Sequence, residues 1–138
     1  MLFRSILAKI EADLAGVDDA VMLDLNGFVA ETNATNLVAV RRGKVVTPSA
    51  DACLPGITRG IVLNLAREAG YDVTERNVSL VELYTADEVF TTGTMGELAP
   101  VSEIDGRRIG GGVVGPVTRD LQERFAVLAA SSGTPIPR

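Results

Sequence analysis

With 138 residues, 46% of them hydrophobic and only 4% aromatic, the chain is long enough for one compact domain whose core is built from Val, Leu, Ile and Ala. A net charge of −5 with scattered Lys and Arg argues against nucleic acid and anionic membrane surfaces as partners, and no apolar run approaches a membrane span. The single cysteine, Cys53, leaves no internal disulfide and fits a reducing, cytoplasmic setting, while the absence of histidine removes His-based triads and most zinc sites, so no metal is expected.

Leu2, Phe3, Ile6, Leu7, Ile10 and Leu14 recur at helical spacing and predict an amphipathic helix over residues 2–15, closed by Gly16, with Arg4, Lys9, Glu11 and Asp13 on or near its wet side. Ala20 to Leu23 and Phe28 to Ala30 read as strands joined through Asn26-Gly27, a strong hairpin signal. Leu37 to Val40 and Val45 to Thr47 flank Arg41-Arg42-Gly43-Lys44 as a second hairpin. Pro48 to Pro55 is a loop. A helix from Ile57 to Ala69 follows, with Ile57, Ile61, Leu65 and Ala69 on one face and Gly70 at its end.

Val73 to Val78 alternates as a strand, and Ser79-Leu80-Val81-Glu82 has the form of a capping box before a short helix. Glu88 to Thr92 is another strand, and Val101 to Ile104 and Arg107 to Ile109 flank a third turn at Asp105-Gly106. Gly115-Pro116 opens a last helix to about Ala130, with Val117, Leu121, Phe125 and Leu128 as its stripe, and residues 131–138 read as a loose tail. No repeat or linker interrupts the order. It predicts a single domain over residues 1–130, mixed α/β (α+β) in class, with a largely antiparallel sheet.

Three stretches carry candidate chemistry. Leu54-Pro55-Gly56-Ile57-Thr58-Arg59 is a tight turn feeding a helix whose first amides, at about Ile57 and Thr58, lack intrahelical partners and form a seat for a phosphate. Thr91-Thr92-Gly93-Thr94-Met95-Gly96 ends a strand, and its glycines and hydroxyls suit an anion-binding nest. Glu31, ahead of Thr32-Asn33-Ala34-Thr35-Asn36, places a carboxylate at a strand end. Taken singly, each also reads as an ordinary feature: a plain helix entry, a polar turn, a solvated surface charge.

Taken together, Val29 to Leu37, Leu54 to Arg59, Asp87 to Thr94 and Gly115-Pro116-Val117-Thr118 resemble, in unbroken order over roughly residues 5–125, the class IV (fold-type IV) pyridoxal-phosphate aminotransferases. These include the branched-chain and D-amino-acid aminotransferases, with aminodeoxychorismate lyase as a relative. The branched-chain members resemble it most, through Leu-Pro-Gly-Ile-Thr-Arg and the Asp-Gly-Arg hairpin. The resemblance implies the large domain of that fold, a sheet or pseudo-barrel with flanking helices, and non-covalently held pyridoxal 5'-phosphate. It implies that Glu31 hydrogen-bonds the protonated pyridine nitrogen and that Leu54 packs on the ring face. Ile57 and Thr58 would take the phosphate through their amides and Thr94 through its hydroxyl, with the Met95 amide near the substrate carboxylate. It also implies amino acid and 2-oxo acid substrates and a homodimer. It gives Arg59 no role, leaving it as a helix-surface ion pair. Cys53 reads as a small buried or loop residue rather than a nucleophile.

Asn33 and Val38 depart from the family's usual small and aromatic residues, which bears on the floor of the pocket. The Schiff-base lysine of the family, expected ahead of the first helix, has no match, since Lys9 lies within that helix and Lys44 in a hairpin. No catalytic residue is therefore assigned, and the chain alone is expected to be inactive in transamination. A non-catalytic module binding pyridoxal phosphate or another phosphorylated ligand, a dimer scaffold, and an aminodeoxychorismate-lyase-like fragment remain alternative readings.

Overall fold

The computed structural model describes residues 2–133, with side chains from Ser5 onward. After helix α1 (Leu2–Ala15), the strands β1 (Val21–Leu23) and β2 (Val29–Thr32) form an antiparallel hairpin that sets Met22 opposite Glu31. Asp24 closes the turn: its Oδ1 accepts from the amides of Asn26 at 2.8 Å and Phe28 at 2.9 Å. An Asx-type turn of this kind gives a short hairpin local hydrogen bonds of its own.

The main sheet holds β3 (Asn36–Arg41), β4 (Lys44–Thr47), β5 (Asp72–Glu75), β6 (Glu88–Gly93) and β7 (Glu97–Pro100), in the order β5-β4-β3-β6-β7. All its pairings are antiparallel except β4–β5, whose parallel pairing is reached through a crossover containing helix α2 (Ile57–Glu68). The two-residue turn between β3 and β4 places Arg42 and Gly43 at φ 51° and 74°, the conformation that matches strand twist.

Residues 36–40 of β3 are all buried, so this central strand has both faces covered. Val38 and Val40, with Phe90 of β6, face Val62, Leu63 and Ala66 of α2 and Val117 and Leu121 of α4 (Pro116–Ser131). Leu37, Ala39 and Val89 face the opposite way, onto Val29, Val78 and Leu83, the last from the short helix α3 (Leu80–Tyr84). A small hairpin of β8 (Glu103–Ile104) and β9 (Arg107–Arg108) adds Ile104 to that second cluster. Mixed α and β elements around a largely antiparallel sheet are the class that the sequence predicts.

Several elements differ from the sequence reading. Helix α2 buries Arg59, Val62, Leu63 and Ala66, and Ile57 is 84% exposed. The stripe counted from Ile57 is thus rotated off the core, because the buried face begins with a charged residue that apolar counting discards. Strand β5 stops at Glu75, and β7 has no counterpart among the predicted elements. Helix α1 contributes Ala12 to the interior, while Ile6, Leu7, Ile10 and Leu14 of its expected core stripe are exposed; the side chains of Leu2, Phe3 and Arg4 lie outside the described residues. Helix α4 runs to Ser131, past the expected start of the tail, of which residues 134–138 lie outside the described residues. Among the described residues, no helix is long and apolar enough to cross a membrane, and no group of potential ligands could hold a metal ion.

Candidate functional site

The three candidate stretches meet around the turn between β2 and β3. Glu31, half-buried in β2, accepts a hydrogen bond through Oε2 from the Leu54 amide at 3.0 Å. Its other oxygen, Oε1, has no donor among the described residues. Asn36, the first residue of β3, donates through Nδ2 to the Leu54 carbonyl at 2.8 Å. Gly56 lies so near that a Cβ there would overlap Asn36 Oδ1, so glycine is what lets the loop reach this depth.

The third stretch arrives through the sheet. Asn36 pairs with Thr92 across the β3–β6 ladder, and a Cβ on Gly93 would stand 2.8 Å from Thr35 Cγ2. The turn of residues 94–96, which carries Thr94 and Met95, therefore begins against the same β2–β3 turn. That turn is held by Thr32, whose amide donates to the Thr35 carbonyl at 2.8 Å and whose hydroxyl lies 2.7 Å from that of Thr35. Leu54, Ile57, Thr94 and Met95 are exposed, and Thr58 is half-buried, so the site is a shallow, open surface.

The N-terminus of α2 is open in a way that those of its neighbours are not. Its N-cap, Gly56, is extended and offers no side-chain cap, and no acidic residue occupies the first turn. Helix α3 is closed by a complete capping box, Ser79 with Glu82. Helix α4 is closed by a carboxylate from another strand: Glu88 accepts from the Val117 amide at 3.0 Å and the Thr118 amide at 2.8 Å. Of the three, only α2 leaves its first amides and the positive end of its dipole available to an external anion. Leu54 to Ile57 is three residues, at most about 11 Å of chain. A carboxylate acceptor and an uncapped helix tip with free amide donors thus lie in one small region, the two kinds of group that a phosphorylated, ring-nitrogen cofactor needs.

Other residues singled out in the sequence settle differently once placed in the fold. Arg59 is only 5% exposed, not a surface residue, and its Nη2 donates to the Pro48 carbonyl at 2.8 Å as well as pairing with Glu75 Oε2 at 2.8 Å. The Glu75 carboxyl is held below its ordinary range by Arg59 first and Arg67 second. Cys53 is half-buried, with its Sγ 3.6 Å from the Ser49 carbonyl, and burial pushes its thiol up, opposite to what a nucleophile needs. Val38 belongs to the sealed core against α2 and α4, not to a pocket floor, because the pleat turns it away from the β2 side. Asn33 donates its amide to Asp19 at 3.4 Å.

Both lysines are engaged elsewhere. Lys9 pairs with Asp13 at 2.6 Å, and Lys44 pairs with Asp72 at 2.9 Å. Lys44 lies opposite Arg41 at the far end of β3 from Asn36, about 17 Å away along the strand. Sequence reading misses Asn36 as a buried donor and Glu88 as the α4 cap. No local pattern signals either one, since their partners lie 18 and about 30 residues away.

The model of the family described as amino-transferase class IV matches residues 2–104. The chain belongs to this family. It is 59% identical over 136 residues to branched-chain-amino-acid aminotransferase-like protein 2 of Arabidopsis thaliana, covering 99% of this chain and 24% of that protein. It is 46% identical over 122 residues to the branched-chain-amino-acid aminotransferase of Pseudomonas aeruginosa, covering 88% of this chain and 40% of that one. Among solved structures, the branched-chain amino acid aminotransferase from Thermobaculum terrenum in its PLP-form superposes with a TM-score of 0.91 at 39% identity, over 94% of this chain and 43% of that chain. The enzyme from Escherichia coli superposes with a TM-score of 0.90 at 41% identity, over 92% of this chain and 43% of that chain. The chain thus spans between about a quarter and under half the length of these relatives.

Proposed function

We propose that this chain is the cofactor-holding part of a class IV aminotransferase and binds pyridoxal 5'-phosphate across the Glu31–Leu54–Ile57 surface. Glu31 Oε1 receives the pyridine N–H, Leu54 lies against the ring, the Ile57 and Thr58 amides and the Thr94 hydroxyl hold the phosphate, and the Met95 amide receives the substrate carboxylate. One observation carries this reading: Glu31 is fixed by the Leu54 amide at 3.0 Å, three residues before a helix that has no cap of its own.

When bound, the cofactor supplies the electron sink for moving an amino group between an amino acid and a 2-oxo acid. Glu31, as the hydrogen-bond acceptor, would hold a proton on the ring nitrogen. The names of the relatives favour a branched-chain or similar amino acid as substrate. Lys9 and Lys44 are committed to surface ion pairs, so this chain supplies no evident proton-transferring amine and holds the cofactor without a covalent bond. The exposed apolar side of α1 supports a homo-oligomer, and the single half-buried cysteine suits a reducing cytoplasm.

An absorbance titration with pyridoxal 5'-phosphate tests the proposal. Saturable binding, weakened about tenfold or more by Glu31→Ala through loss of a charged hydrogen bond, supports it. Borohydride treatment is expected to leave no adduct on Lys9 or Lys44. Equal binding by the parent and Glu31→Ala, or no binding by the parent, rejects the site.

A further inference from the structure

We infer that Asn36 is a positioning residue for the cofactor, holding Glu31 and the α2 tip at a fixed separation; this rests on the reading of that site given above. Residues 48–56 form one loop, which bears the Leu54 amide that fixes Glu31 and ends at Gly56, the entry to α2. Buried side-chain donors tie the loop at both ends. At its start, Arg59 Nη2 donates to the Pro48 carbonyl at 2.8 Å. Near its end, Asn36 Nδ2 donates to the Leu54 carbonyl at 2.8 Å.

Leu54 is consequently gripped on both sides, its amide by Glu31 and its carbonyl by Asn36. Asn36 itself is 6% exposed and is anchored at the start of the central strand, opposite Thr92 in the β3–β6 ladder. Its Oδ1 faces Gly56, at a position where any Cβ would overlap it. A single side chain on the central strand thus touches the loop at two points that bracket Pro55, between the pyridine-binding carboxylate and the phosphate-binding amides. A rigid ligand that needs both groups binds best when their spacing is set beforehand, since otherwise binding must pay for ordering the loop. The donor is specific to the amide. An aspartate of the same shape would turn an acceptor toward the Leu54 carbonyl and repel it.

Amide hydrogen exchange on the 138-residue chain, compared among the parent, Asn36→Ala and Asn36→Asp, tests the role, together with titration by pyridoxal 5'-phosphate. Both variants are expected to speed exchange at Leu54 by about tenfold, the loss of one hydrogen bond, while Val38 and Val89 in the central ladder keep their rates. Cofactor affinity is expected to fall by a similar factor. Unchanged exchange at Leu54 overturns the inference. So does a rise shared equally with Val38 and Val89, or the unfolding of both variants, since either would make Asn36 a general support of the core. If the parent fails to bind the cofactor, the functional reading falls, and the exchange pattern still decides whether Asn36 sets the loop. If the parent binds and the variants bind equally well, the positioning role is overturned while the functional reading stands.

Discussion

Glu88 of β6 and Thr118 of α4 are joined twice: Glu88 Oε2 accepts from the Thr118 amide at 2.8 Å and from its hydroxyl at 2.7 Å. The Glu88 carboxylate is 7% exposed, and its other oxygen takes the Val117 amide at 3.0 Å. A buried negative charge is tolerable here because three donors and the positive end of a helix surround it. Gly115 makes room for it, since a Cβ there would overlap the carboxyl group. The Gly-Pro-Val-Thr motif is therefore the seat of an internal anion, and it fastens α4 to the sheet.

Removing that anion is expected to be costly. Glu88→Ala leaves two helix amides and a hydroxyl without their acceptor in a buried site, and it should destabilise the chain by about 3 kcal/mol. Glu88→Gln, which keeps the shape and one acceptor, should cost less. Urea unfolding measures both, and a Glu88→Ala midpoint equal to that of the parent would contradict the assignment.

The α3 capping box makes a pH-dependent contribution. Glu82 is lowered to about 2, first by the Arg76 guanidinium at 2.6 Å and then by the Ser79 amide at 3.0 Å. A depressed folded-state value means stability that is present above the ordinary value near 4.5 and lost as pH falls through about 2. Unfolding free energy should therefore decline over that window, and Glu82→Gln should reduce the slope. Glu75 and Asp120 are also held low by neighbouring arginines, so part of the slope should survive in the variant. An identical pH profile for the parent and Glu82→Gln would remove Glu82 from the account.

Which features are legible in the amino-acid order, and which are hidden, follows from range. Asn26-Gly27, Arg42-Gly43, Asp105-Gly106 and Ser79-to-Glu82 encode their turns and cap within a few residues, and each appears where expected. Family motifs locate Glu31, Leu54, Gly56 and Gly93, whose convergence depends on contacts across the chain that no periodicity displays. The buried face of α2 escapes apolar counting because it opens with Arg59, whose burial depends on Pro48 and Glu75. Strand β7 escapes for a different reason: Glu97 to Pro100 contains one buried residue, Leu98, and a proline that suits an edge strand.

Helix α1 gives a prediction about association. Ile6 is 51% exposed, Ile10 49% and Leu14 84%, along a helix that places Ala12 in the interior. Ile6→Lys with Leu14→Lys should change folding stability by no more than about 0.5 kcal/mol, because neither residue is in the core. The same pair should suppress self-association in sedimentation experiments at rising concentration, as charges on an apolar face oppose its burial. A parent that stays monomeric would overturn the predicted association, and a variant that associates as the parent does would assign it to another surface.

Two glycines four positions apart should respond oppositely to the same change. Gly60 is a helix-interior residue of α2, and a Cβ there would meet nothing within 4 Å. Gly60→Ala should stabilise the chain by about 0.5–1 kcal/mol, because alanine loses less backbone freedom on folding into a helix. Gly56 precedes that helix, and its conformation, φ −61° and ψ 139°, is open to any residue, so no strain arises from the backbone itself. The obstacle is Asn36 Oδ1, where a new Cβ would overlap. Gly56→Ala must push the loop off Asn36 or turn the amide away from the Leu54 carbonyl, and either movement shifts Leu54 relative to Glu31. Pyridoxal 5'-phosphate binding should therefore fall in Gly56→Ala and persist in Gly60→Ala, as read by absorbance titration alongside thermal unfolding. If both variants bind as the parent does, the close approach of Gly56 to Asn36 has no part in shaping the cofactor seat.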